Sequence, residues 1–157
     1  MNIKLIAIGK TDDKQLHILI EQYTKRLSHY VKFELEVIPD LKKAKNLSEE
    51  EQKVKEGKLI LDKVSNSDTL ILLDEKGKQF SSENFADKLQ KHMNSGIKQL
   101  VYVIGGPYGF SEEVYQRANS KLSLSLMTFS HQMIRLFFVE QLYRGFTILR
   151  NEPYHHR

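Results

Sequence analysis

Three short runs dominated by apolar residues constrain this chain most: Ile3 to Ile8, Thr69 to Leu73 and Gln99 to Ile104, each bounded by polar residues. A run of this length that lacks a regular polar alternate is the form of a strand buried on both faces, which requires a sheet covered by helices on either side. The segments between the runs have helical spacing. Leu16, Leu19/Ile20, Tyr23 and Leu27 share one face. Val54, Leu61 and Val64 form a second stripe, opened by the capping box Ser48 and Glu51. Phe85, Leu89 and Met93 form a third, capped by Ser81 or Ser82 and stopped near Asn94-Ser95-Gly96.

Two further segments alternate. Phe33, Leu35 and Val37 interleave with Lys32, Glu34 and Glu36 until Pro39 and Asp40, after which Leu41 to Asn46 is a lysine-rich exposed loop. Leu122-Ser-Leu-Ser-Leu126 alternates strictly, as an edge strand does whose serines face water. Ser111 with Glu112 and Glu113 begins a short helix. From Ser130 a long one carries Ile134, Phe137/Phe138, Gln141/Leu142 and Gly145/Phe146 inward until Pro153. Strands separated by helices, without repeats or a change in composition, predict one α/β domain over 1–157, three layers deep with a mainly parallel sheet. Ligands of such sheets sit beyond the carboxyl ends of the strands.

Composition then removes whole classes of chemistry. The chain has no cysteine, which excludes disulfide frameworks, Cys-containing zinc sites, iron–sulfur clusters and thiol nucleophiles. The apolar stretch after Met1 is too short for a signal-peptide core, and no run approaches the roughly 18 residues that span a bilayer. A soluble, cytoplasmic protein with no membrane partner is expected. The net charge of +4 and pI near 9.1 lean weakly toward a polyanion.

Several residue groups carry two readings each. Gly105-Gly106-Pro107-Tyr108-Gly109 is either a tight turn or a loop that brings backbone amides close to a ligand. Pro107 and Phe110 occupy the second and third glycine places of G-x-G-x-x-G, and no G-x-x-x-x-G-K-[ST] occurs. A nucleotide-dependent oxidoreductase therefore keeps only the α/β pattern in its favour. His131 and Arg135, one turn apart at the start of the last helix, either grip phosphate or form a solvated face. Glu140 and Arg144 have ion-pair spacing beside Gln141 and Tyr143, for structure or for function. The tail Tyr154, His155, His156 and Arg157 suits base stacking and phosphate contact, or is simply an unstructured end. Adjacent histidines seldom chelate together, so no metal is expected. No Gly-x-Ser-x-Gly elbow marks a hydrolase.

Taken together, Val103-Ile-Gly-Gly-Pro-Tyr-Gly-Phe, Leu122-Ser-Leu-Ser-Leu-Met-Thr-Phe-Ser-His-Gln-Met-Ile-Arg, Glu140-Gln-Leu-Tyr-Arg-Gly and Pro153-Tyr-His resemble the bacterial large-subunit ribosomal RNA pseudouridine N3-methyltransferases of the SPOUT superfamily. The resemblance covers essentially the whole chain, including the Tyr23-x-x-Arg26 helix and the Glu56-Gly57 region. It implies a C-terminal trefoil knot, a homodimer, and S-adenosyl-L-methionine bound in the knot. The substrate it implies is a pseudouridine of large-subunit (23S) ribosomal RNA on the assembled 70S ribosome.

Carried over by position, the cofactor residues are Leu73, Gly105, Gly106, Leu124, Ser125, Leu126, Met127, Thr128 and Phe129. The catalytic group is His155, Tyr154, Arg144, Arg135 and Glu140, completing a neighbouring subunit's pocket. RNA contacts fall to His131, Arg135, Tyr143, Arg144, His156 and Arg157. His155 or a tail-ordered water takes the N3 proton, Arg135 and Arg144 hold phosphate or the charge on the uracil carbonyls, and Tyr154 stacks on the base. Ser130 replaces the family's usual proline, which is expected to loosen the start of the last helix. The His156-Arg157 ending also departs from many relatives. A SPOUT enzyme acting on transfer RNA and a non-catalytic ribosome- or RNA-binding module are the alternatives.

Overall fold

The computed structural model describes residues 1–156; Arg157, assigned above to RNA contact, lies outside the described residues. The elements run β1 (Asn2–Ile8), α1 (Lys14–Leu27), β2 (Lys32–Ile38), α2 (Glu49–Leu61), β3 (Thr69–Gln79), α3 (Ser82–Asn94), β4 (Gln99–Ile104), α4 (Glu112–Arg117), β5 (Ser120–Ser123) and α5 (Met133–Leu149). Every strand pair is parallel, in the spatial order β2-β1-β4-β3-β5.

Alternate residues of each central strand feed two separate cores, which is why the runs carry so little polarity. On one face Ile3, Leu5, Ile71, Leu100, Tyr102 and Ile104 pack against Leu27 of α1, Phe85 and Leu89 of α3, and Phe138, Leu142 and Phe146 of α5. On the other, Ile6, Ile8, Leu70, Leu72, Val101 and Val103 meet Ile60 of α2 and Val114 of α4. The three-layer arrangement follows directly.

Helix starts are set by the polar residue before each stripe. Asp13, Ser48, Ser81 and Ser111 accept from the main-chain N–H of Leu16, Glu51, Asn84 and Val114 respectively. At α5 the N-cap position, Gln132, makes no side-chain cap bond, but Ser130 Oγ just before it accepts from Met133 N at 3.0 Å. The hydroxyl thus caps the turn that its replacement of proline was expected to loosen.

The structure corrects four local expectations. The inner face of α2 is Glu56, Gly57 and Ile60, while Val54 is exposed. The helix turns this face inward because a Cβ on Gly57 would collide with the Ser111 hydroxyl, so only glycine allows α2 to lie this close to α4. Val37 is also exposed, because β2 is the sheet's edge strand. Strand β3 does not stop at Leu73; it bulges and resumes, so that Leu122 pairs with both Leu73 and Lys78. A Cβ on Gly77 would lie 2.7 Å from main-chain atoms of Lys121 and Leu122, so glycine is required where the two chain segments pass. Finally, β5 ends at Ser123 instead of continuing to Leu126. Ser123 is buried, donating to Ser125 O at 2.9 Å, and Ser125 Oγ accepts from Met127 N at 2.9 Å. The serines turn the chain instead of facing water, which leaves Leu126 84% exposed.

Candidate functional site

Strands β4, β3 and β5 are parallel neighbours, so the segments leaving them converge at one end of the sheet. A cleft of about 930 Å³ opens there. Its walls include Leu73, Gly105, Gly106, Leu124, Ser125, Met127, Thr128 and Phe129, all of the expected cofactor residues except Leu126, whose side chain turns away. The two readings of the glycine loop coexist. Gly109, at φ +84°, donates to Gly106 O at 3.1 Å and closes a tight turn, and that turn forms one wall of the cleft.

Several lining residues carried no sequence signal. Glu49, Glu50 and Lys53 project from the first turns of α2, and Tyr115 comes from α4. The Tyr115 hydroxyl donates to Asp74 at 2.6 Å; burial, then that bond, raise its pKa well above the usual tyrosine value. Thr128 Oγ1 donates to Glu75 at 2.8 Å, tying the penultimate loop to the bulge of β3. The polar turn Asp74-Glu75 after an apolar strand was the one available hint.

The cleft suits S-adenosylmethionine in size and chemistry. Ligand sites of this class run to about 1,000 Å³. Leu73, Ile104, Leu122, Leu124 and Phe129 give an apolar wall for a flat base, and Glu49 is an acidic side chain for a cationic ligand, Glu50 being paired with Lys53 at 2.9 Å.

A second crevice is expected between β1 and β4, because β1 connects outward to β2 while β4 connects past β3 to β5. The chain fills it itself. Arg135 is 0% exposed; its Nη2 donates to Ile8 O at 2.7 Å, its Nε to His131 O at 3.0 Å and its Nη1 to Thr11 Oγ1 at 3.2 Å. Burial lowers its pKa, and nearby Asp12 and Asp40 oppose that shift. Gln132 adds bonds to Lys10 O and Asp12 N. Arg135 is therefore not the phosphate-gripping surface cation that spacing suggested, because its donors are bonded inside the fold. His131 is exposed and lines the cleft.

The remaining candidates form one cluster where the tail folds back over α5 and α1. Arg144 Nη2 meets Glu140 Oε1 at 2.6 Å, and Tyr154 donates to the same oxygen at 2.8 Å. Arg144 lies over the Tyr154 ring at 4.8 Å and its Nη1 is 3.1 Å from His155 Nδ1. Guanidinium has only donors, so Nδ1 is the acceptor in this contact. Burial, then contacts with Tyr23 and Glu140, push the Tyr154 hydroxyl well above the ordinary tyrosine value, keeping it a donor. Tyr143 is edge-on to Tyr23, Tyr30 and Tyr154, at 6.0, 5.9 and 4.7 Å. Tyr30 donates to Glu152 at 2.5 Å, which fixes the turn before the tail. His156 is exposed.

Within one chain this cluster does not line the large cleft. Glu140 instead borders a smaller groove of about 280 Å³ with Leu124, Phe129 and Phe137. Among the described residues no helix is long and apolar enough to cross a membrane, and no group of three or more His, Cys, Asp or Glu is placed to hold a metal ion.

A family model described as "Predicted SPOUT methyltransferase" matches residues 1–155. The chain is 73% identical to "Ribosomal RNA large subunit methyltransferase H" of Flavobacterium johnsoniae and 70% identical to that of Christiangramia forsetii, over all of both chains in each case. It is 60% identical to the Parabacteroides distasonis protein of the same name over 99% of each chain.

Proposed function

The chain belongs to the SPOUT methyltransferase family, whose fold carries a C-terminal trefoil knot, and from that premise we propose that it methylates N3 of a pseudouridine in large-subunit ribosomal RNA with S-adenosylmethionine as donor. The observation that carries the proposal is the cleft of about 930 Å³ at the ends of β3, β4 and β5, lined by Leu73, the Gly105-Gly106 turn and the 124–129 loop. The names of its relatives supply the RNA class.

Bound in this cleft, S-adenosylmethionine supplies an electrophilic methyl group for in-line transfer. The glycine turn and the 124–129 loop would hold the donor, and Leu73 and Phe129 would offer its base an apolar surface. Positioning of the two reactants provides much of the acceleration. N3 of the base has to lose a proton during transfer, and His155 or a water held by the tail accepts it. In the resting cluster Arg144 covers His155 Nδ1. When Arg144 turns to a substrate carbonyl or phosphate it uncovers that lone pair, so one movement both stabilises developing charge and frees the base. Tyr154 brackets the base, Glu140 orients Arg144 and Tyr154, and His131, Tyr143 and His156 contact RNA. Arg135 acts indirectly by anchoring the start of α5.

The active form is a homodimer in which the tail cluster of one subunit faces the cleft of the other. Two features support this: the cluster lies off its own chain's large cleft, and apolar side chains are exposed on the 124–129 loop and the start of α5. Leu126 and Met127 are 84% and 76% exposed, with Phe129, Met133 and Phe137 also exposed beside them.

The test is transfer of labelled methyl to ribosomes lacking the modification, run beside ribosomes lacking the pseudouridine and beside free transfer RNA. Label in pseudouridine-containing ribosomes alone is the expected result. Label in transfer RNA would move the substrate, and ribosome binding without label would point to a non-catalytic module.

A further inference from the structure

Glu56 is 3% exposed on the inner face of α2, and its Oε1 has no hydrogen-bond partner among the described residues. Gln52 Nε2 donates to the other oxygen at 3.3 Å. The unpartnered oxygen is aimed at the glycine turn: a Cβ on Gly106 would lie 2.6 Å from Oε1 and 2.8 Å from Oε2. Gly57, the next residue, is what lets α2 bring the carboxyl this close.

The carboxyl therefore occupies the space directly behind the turn whose front lines the cleft. A buried acceptor left unsatisfied destabilises a fold, and an apolar side chain of similar volume avoids that penalty. Burial raises the pKa of Glu56, with the Gln52 bond opposing the rise and Asp40 adding to it. Packing alone gives no reason for a carboxyl here, whereas a ligand-dependent movement of the turn does.

We propose that Glu56 is a positioning residue of the methyl-donor cleft: it backs the Gly105-Gly106 turn, and Oε1 accepts a main-chain N–H of that turn when the turn closes on S-adenosylmethionine. This inference rests on the methyl-donor reading of the cleft. Gly106 lacks a side chain because its Cβ would take the place of this acceptor.

Calorimetric binding of S-adenosylmethionine to wild type, Glu56→Ala, Glu56→Gln, Gly106→Ala and the Glu56→Ala/Gly106→Ala double variant tests it. Loss of the acceptor in Glu56→Ala should weaken binding about tenfold and raise KM for the donor, with kcat at saturating donor retained and the thermal midpoint not lowered. Glu56→Gln, which keeps a carbonyl acceptor, should stay within about threefold of wild type. Gly106→Ala should be severely impaired in the wild-type background and recover in the double variant, because the atoms its Cβ meets are those of Glu56. Wild-type-like binding by Glu56→Ala, or an equal effect of Gly106→Ala in both backgrounds, would overturn the proposal while leaving the methyl-donor reading intact. Failure of the wild type itself to bind would overturn that reading and this inference with it.

Discussion

Replacing Arg135 with alanine removes three donors at once from a guanidinium that is 0% exposed. The bond to Ile8 O is the shortest and most buried, and at 2.7 Å it is charge-assisted, so its loss costs about 2 kcal/mol. The bonds to His131 O and Thr11 Oγ1 are partly buried and contribute about 1 kcal/mol each. The sum is about 4 kcal/mol. In a chain of this length that lowers the thermal midpoint by about 10 °C. Arg135→Lys keeps the charge but not the planar fork, and should lose about half as much. Urea unfolding followed by far-UV circular dichroism, at fixed protomer concentration because association adds to apparent stability, reads the effect. An Arg135→Ala protein with a wild-type midpoint and no methyl transfer would refute the assignment and return the residue to the substrate.

Further predictions concern the crossing, the tail and the base. Gly77→Ala should destabilise by about 3 kcal/mol or more, because its Cβ meets main chain of Lys121 and Leu122. Gly145→Ala should be milder, since there the close atom is the movable Leu89 Cδ1 at 2.8 Å; equal losses in the two variants would contradict this. The Tyr30 hydroxyl is pushed up from 10.0 to about 12, first by its bond to Glu152 and then by burial. Its contribution, at most about 2 kcal/mol, should be complete below pH 10 and lost as pH rises through about 12. Tyr30→Phe should flatten that part of the stability profile, and parallel profiles would sink the idea. His155→Ala should reduce methyl transfer about a hundredfold with donor binding intact, and unchanged turnover would remove it from the mechanism. Tyr154→Ala should weaken RNA binding, and loss of donor binding instead would show the ring to be misassigned.

The strands and the sheet class were legible because burial on both faces leaves a mark in composition: Thr69 to Leu73 and Gln99 to Ile104 are buried nearly throughout. Caps were legible for the same local reason, as at Ser48 and Ser81. What escaped is set by partners distant in sequence. Periodicity read Arg135 as a surface cation because its acceptor on Ile8 lies 127 residues away. It read Val54 as inward because it gives no weight to a glycine, yet Gly57 decides which face of α2 approaches α4. Alternation extended β5 to Leu126, whereas the side-chain bonds of Ser123 and Ser125 turn the backbone first. Side-chain type did not mark the residues that line the large cleft, so most of those identified were named only through family resemblance.

Helix α5 is the last of the described elements, and it completes a core face built with the strands and with helices α1 and α3. Phe138, Leu142 and Phe146 pack against strand residues from β1, β3 and β4 and against helices α1 and α3. During synthesis Leu5, Ile71 and Tyr102 on that face lack this part of their covering until α5 has emerged. Residues separated by most of the chain's length must then meet before the fold is cooperative, which makes for slow maturation and a nascent form prone to self-association.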